Sequence, residues 1–139
     1  MQVAGCKLQG GKVIDISYKH LKVWQKSKEL CLLVYKMTKE FPKEEIYAIT
    51  SQIRRCVISI PSNIAEGYDK TSVKDNIKFC EIAYGSYYEL NTQIEIAYDL
   101  GYIKYDDTFN EFNKLSEEIG KMLYGYIKSL KQKLCDESI

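Results

Sequence analysis

The sequence predicts an all-α chain folded as an antiparallel up-and-down four-helix bundle. Three observations carry this. Apolar residues recur at alternating three- and four-residue spacing through four segments. Stop and start residues at Pro42, Gly67 and Gly101 divide those segments into lengths that short connections would join as antiparallel neighbours. No strand pattern competes convincingly with the helical one along the 139 residues.

The first helix is expected from Tyr18 to Phe41, with Val23, Leu30, Val34, Met37 and Phe41 on one face. Pro42 stops it and opens the second helix, whose first turn carries Glu44 and Glu45 at the positive end of the dipole. Along that helix Ile46, Ile49, Ile53, Val57, Ile60 and Ile64 form a stripe that ends at Gly67. Pro61 falls inside it, removing a donor and freeing the Val57 carbonyl, so a bend or restart is expected there, with Ser62 and Asn63 able to compete for loose backbone groups. Ser72 and Asp75 open the third helix, which buries Ile77, Cys80, Ala83, Tyr87, Leu90, Ile94 and Ala97 before Gly101 closes it. Gly85 and Ser86 offer it a small surface for a close neighbour. Thr108 caps the fourth helix, with Glu111 three residues on and a stripe of Phe112, Leu115, Ile119, Met122, Tyr126 and Leu130.

At 45% hydrophobic the chain supports one core, so the expected organisation is an N-terminal leader over 1–17, a bundle over 18–135 and a tail over 136–139. Five cysteines, odd in number and without a C-x-x-C pair, fit a reducing cytoplasm better than a disulfide framework. The longest apolar run, near "LCLLVY", is far too short for a membrane span.

Catalytic constellations are sparse. His20 is the single histidine, so neither a Glu-x-x-His di-iron pattern nor a histidine-rich metal centre can be assembled, and no phosphate-binding glycine loop occurs. Paired carboxylates such as Glu44 with Glu45, Asp106 with Asp107 and Glu117 with Glu118 are adjacent in sequence and read as solvated groups. No catalytic residue, metal or cofactor is expected.

Charge is informative through its distribution. The chain is near neutral at +1, yet residues 19–43 hold seven Lys and two Glu, while 71–139 hold eight Lys and twelve acids. Lys28, Lys36, Lys39 and Lys43 fall opposite the first core stripe as a basic ridge and, with Arg55, are candidate contacts to RNA or DNA phosphates. The competing reading is an ordinary solvated face. Trp24, Cys31 and Tyr35 make a second apolar shoulder, the candidate oligomer interface. Arg55, Ser59, Ser62 and Glu66 form a small polar stripe opposite the isoleucines, and Ser59 and Ser62 join that candidate interface. Most of the twelve tyrosines read as structural, although any exposed ones could stack on unpaired bases.

The stretches "LKVWQKSKEL", "SQIRRCVISIPSNIAEGYDK" and "AYGSYYELNTQIEIAYDLGYI" resemble the four-helix-bundle family encoded in intervening sequences of bacterial 23S ribosomal RNA genes. The resemblance spans about residues 18–130 and extends to the accessory variability determinant of diversity-generating retroelements, a pentameric barrel that binds a reverse transcriptase and nucleic acid. It places the family's signature on Gln52, Arg54, Arg55, Ser59, Ile60, Pro61, Asn63, Ile64, Ala65, Glu66 and Gly67, and on Ala83, Gly85, Ser86 and Glu89. These are signature positions, not assigned binding residues. The resemblance implies a homopentamer with no catalytic activity, and a role beside RNA or a reverse transcriptase. Those accessory proteins are strongly basic and this chain is not, so the alternative is a protein-binding scaffold without a nucleic-acid role.

Overall fold

The computed structural model describes the backbone of residues 6–9, 12–15 and 17–138, with side chains from 17 to 138. Four long helices follow one another: α1 (Lys22–Thr38), α2 (Ile49–Tyr68), α3 (Val73–Asp99) and α4 (Asp107–Glu137). Each packs on its chain neighbour and α4 closes against α1, which is the up-and-down bundle the periodicity predicts. A two-stranded antiparallel hairpin precedes it, β1 (Cys6–Gln9) with β2 (Lys12–Asp15), paired from Cys6 opposite Asp15 to Gln9 opposite Lys12. The expectation of no strand therefore needs correcting. The local signal is the Gly-Gly pair between two short runs, a hairpin cue that the helical periods of the rest of the chain overshadow.

Several boundaries also differ. Residues Tyr18–His20 form a separate 3₁₀ turn, and α1 ends at Thr38 rather than running to Phe41, although Phe41 is still buried. Pro42 opens only a single 3₁₀ turn, Lys43–Glu45, and α2 begins at Ile49. Ile46 consequently lies outside the helix and half exposed instead of in the core. Thr108 is not the cap of α4. Asp106 is, its Oδ1 accepting from the Phe109 amide at 2.9 Å. The buried stripe of α4 runs through Phe112, Ser116, Ile119, Leu123, Ile127 and Leu130, leaving Leu115, Met122 and Tyr126 at its edge. Ser116 sits inside because its hydroxyl donates to Asn91 Oδ1 on α3 at 2.8 Å, so a polar residue fills a core position without an unmet hydrogen bond. α4 remains helical to Glu137, into the segment expected as a tail.

Ser72 caps α3 as expected, accepting from the Asp75 amide at 3.2 Å. At its far end Gly101 adopts φ +83°, and the amides of Gly101 and Tyr102 donate to the carbonyls of Tyr98 and Ala97. That paired bonding requires a left-handed residue, which is why glycine stands there.

Pro61 does not break α2, which is continuous across it. A helix-interior proline costs about 3 kcal/mol. Ile53, Val57, Ile60 and Ile64 on the same helix are all fully buried, each contributing about 1.5–3 kcal/mol, so burial outweighs the lost bond. The carbonyl that the proline frees is also used, because the Cys31 thiol on α1 donates to Val57 O at 3.3 Å.

The seam between α2 and α3 is close and polar at its edge. Cys56 Sγ donates to Ser86 O at 3.1 Å, the Ser59 and Ser86 hydroxyls meet at 2.7 Å, and Asn63 Nδ2 donates to Ser59 O at 2.8 Å. Near the end of the seam, a Cβ on Gly67 would come within 2.8 Å of Asn76 Oδ1 and 3.0 Å of the Asn76 carbonyl. Gly67 thus serves helix contact, one residue before α2 ends at Tyr68.

Candidate functional site

Two helix faces stand out, the first of them gathering the apolar residues that the sequence singles out. On the first, between α1 and α2, Trp24 and Cys31 meet Pro61 and Ser62 around an open groove of about 460 Å³. Tyr18 leans on Trp24 with ring centroids 5.0 Å apart, and the Lys28 ammonium lies 5.7 Å from the Trp24 ring. Lys28 therefore belongs to the groove as much as to any basic ridge. Further along the same side, Arg54 Nε donates to Thr38 Oγ1 at 2.8 Å while its guanidinium covers the Tyr35 ring at 4.7 Å. The signature position Arg54 thereby ties α1 to α2. Leu32 (67% exposed) on α1 and Ile58 (43% exposed) on α2 add exposed apolar side chains, so among the described residues these two helices present a mixed apolar and basic surface.

The expected basic ridge is not one line. Lys28, Lys36, Lys39, Lys43 and Arg55 are all exposed, and among the described residues no ion pair holds any of them. Because α1 stops at Thr38, however, the helical arc does not extend to Lys43, which follows Pro42 in the 3₁₀ turn. Lys36 borders a second groove of about 520 Å³ at the end of the bundle, with Glu40, Tyr102, Lys104 and Asp106. The Tyr102 hydroxyl donates there to Glu45 Oε1 at 3.2 Å, and its pKa is raised, first by desolvation and then by that carboxylate.

The polar stripe is likewise divided. Arg55, Ser62 and Glu66 are exposed, but Ser59 turns into the α2–α3 seam and spends its hydroxyl on Ser86. Its spacing matches the outer residues, yet α3 packs close enough to α2 to cover it. Glu66 pairs with Lys70 at 3.6 Å on the surface.

Thiol chemistry is suppressed. Burial first, and then the backbone or a nearby carboxylate, sets Cys31 at about 11 and Cys56 and Cys80 at about 12, the last two helped upward by Glu89 and Glu81. At neutral pH all three are protonated donors rather than nucleophiles. Among the described residues no group of three or more His, Cys, Asp or Glu could hold a metal ion.

The second face, between α3 and α4, was missed. Tyr84 and Tyr87 stack parallel at 6.0 Å, and Tyr88 meets both edge-on at 5.0 and 5.4 Å. The Tyr84 and Tyr88 hydroxyls lie 3.2 Å apart, and that hydrogen bond chiefly pushes Tyr84 up to about 12. Tyr88 and Tyr124 are each 58% exposed. The sequence signal was Gly120, whose missing Cβ lets the Tyr87 ring lie against α4, a helix-spanning relation that one helix's periodicity does not show.

This fold and surface can be compared with known proteins. No curated protein matches the chain. A solved protein of unknown function from the S23 ribosomal protein family of Bacteroides thetaiotaomicron is 29% identical, superposes with a TM-score of 0.68, and covers 76% of this chain and 95% of its own. The family model described as 23S rRNA-intervening sequence protein matches residues 19–125, from the 3₁₀ turn before α1 into the second half of α4. No helix is long and apolar enough to cross a membrane among the described residues. The match takes in all the signature positions and most of both faces described above, and on it the chain belongs to the 23S rRNA-intervening sequence protein family.

Proposed function

We propose that the protein is a non-enzymatic scaffold that assembles from several copies, five by the resemblance, through the α1–α2 face. One observation carries this reading. The Trp24–Pro61 groove opens between α1 and α2, and the same two helices leave Leu32 and Ile58 exposed, apolar surface of the kind that subunit contacts cover. Cys31 at the groove and Arg54 further along already fasten the two helices, so the surface is preformed and little ordering opposes association. Light scattering on a Leu32→Glu, Ile58→Glu variant tests the reading. Both residues are exposed, so the bundle should keep its helical circular dichroism while the assembly falls to single chains; an unchanged mass would reject the face.

A second reading adds nucleic acid, with a reverse transcriptase as the partner that the resemblance suggests. It is favoured by the exposed Lys28, Lys36, Lys39, Lys43 and Arg55, whose charges no carboxylate among the described residues neutralises. A gel shift at low salt should show binding that weakens steeply as salt rises. Binding without that dependence would reject phosphate contact.

A further inference from the structure

The tyrosine face of α3 and α4 is separate from the assembly face and is used by nothing above. Its rings are not arranged as a core. Tyr88 and Tyr124 are mostly exposed, and with Tyr84 they form a wall shared by two depressions of about 310 and 440 Å³. Lys121 borders the first, and Lys128 and Lys131 border the second. Gly85 lies in the second and has nothing within 4 Å of where a Cβ would stand, so the depression is open at that point. Glycine inside an exposed helix costs about 1 kcal/mol, and no contact among the described residues explains it here.

Charge decides what such a wall suits. Lys114, Lys121 and Lys128 recur every seven residues along α4, so they fall within ~40° of arc and step ~10 Å apart. The acids nearby are already engaged: Glu117 pairs with Lys121 at 3.2 Å and Glu81 with Lys131 at 3.4 Å. Both pairs are solvent-exposed and so are weakly held. Among the described residues Lys114 and Lys128 have no ion-pair partner. Aromatic faces beside a row of cations fit a chain that alternates flat bases with phosphates. A duplex hides its base faces, so it could reach the lysines alone.

We propose that Tyr84, Tyr88 and Tyr124, with the Lys114, Lys121 and Lys128 row, form a stacking platform for single-stranded nucleic acid. The platform deepens the nucleic-acid reading above, but it uses none of the α1 lysines.

Fluorescence anisotropy of the full chain with a labelled 12-nucleotide oligouridylate, and with a duplex of the same length, tests it. The single strand should bind more tightly than the duplex. Tyr88→Ala and Tyr124→Ala should each weaken single-strand binding by about tenfold, within the range for lost base stacking, while Tyr88→Phe keeps it. Replacing the three lysines with Gln should lower the slope of log affinity against log salt by about two, at ~0.7 per charge. Gly85→Leu improves helix propensity while filling the depression, so binding should fall in a chain that folds at least as well. Equal affinity for the duplex, no single-strand binding at low salt, or unchanged affinity in the tyrosine variants would overturn the proposal. Loss confined to a Lys36→Gln, Lys39→Gln variant would overturn the platform and leave the α1 contacts standing. A fall in assembly mass on Tyr124→Ala with unchanged oligonucleotide affinity would mark a protein contact and also overturn it. Because mass and binding are read separately, failure of assembly and failure of the platform are distinct results.

Discussion

Replacing Pro61 with Ala should stabilise the folded chain while weakening its assembly. In an uninterrupted α2 the new amide can donate to Val57 O, recovering most of the roughly 3 kcal/mol that proline costs in a helix. Two opposing effects reduce the gain. The Cys31 thiol would share an acceptor that it now has without a backbone competitor, a weak bond at 3.3 Å. The half-buried ring would also lose about two methylenes of groove contact, roughly 1 kcal/mol at ~0.8 kcal/mol for each one fully buried. A net gain of about 1–2 kcal/mol remains. Urea unfolding followed by helical circular dichroism measures it, and should be done in the Leu32→Glu, Ile58→Glu background so that subunit dissociation does not enter the midpoint. A loss of stability there would show that the ring's packing outweighs the backbone bond, refuting the reasoning about why α2 tolerates Pro61.

Other substitutions separate the remaining contacts. Gly67→Ala should destabilise by about 1–3 kcal/mol because its Cβ would press on Asn76 and Phe79, whereas Gly85→Ala should stabilise by about 0.5–1 kcal/mol in the same unfolding assay. Asp106→Ala should cost about 1 kcal/mol and Thr108→Ala much less, since the carboxylate and not the hydroxyl caps α4. In a Cys6→Ser chain, Cys135 should react rapidly with a thiol reagent at pH 8 while Cys31, Cys56 and Cys80 stay protected. The folded chain holds these three thiols above their ordinary pKa, so their contribution to stability is complete below about pH 8.5. It should be lost as pH rises towards the folded values of about 11 to 12, seen as a falling melting temperature.

The bundle was legible because burial imposes a period on each helix separately. Val23, Leu30, Val34 and Met37 on α1, and Ile53 through Ile64 on α2, stand where their spacing puts them. The errors arise where a local rule competes with packing. Ile46 continues the isoleucine period, but the chain has not yet re-entered a helix, because Pro42 starts only a short turn. On α4 two neighbouring arcs are both apolar, and the choice of Leu123 and Ile127 over Met122 and Tyr126 depends on where α3 and α1 lie. Ser59 was read as outward for a related reason: a wheel describes one helix, while α3 decides which of its flanks is covered. The shoulder of Trp24 and Cys31 was visible in the sequence, but its partner Pro61 and the use of Val57 O by Cys31 are relations between helices. The tyrosine wall was invisible for the same reason, because Tyr84 and Tyr88 stand on α3 and Tyr124 on α4.

The most direct test of the account is the native mass of the full-length wild-type chain beside a Trp24→Asp variant, each checked for helical circular dichroism. An assembly of five chains for the wild type, and single folded chains for the variant, is the predicted result. A folded wild type that stays a single chain, or a variant whose assembly is unchanged, would contradict it.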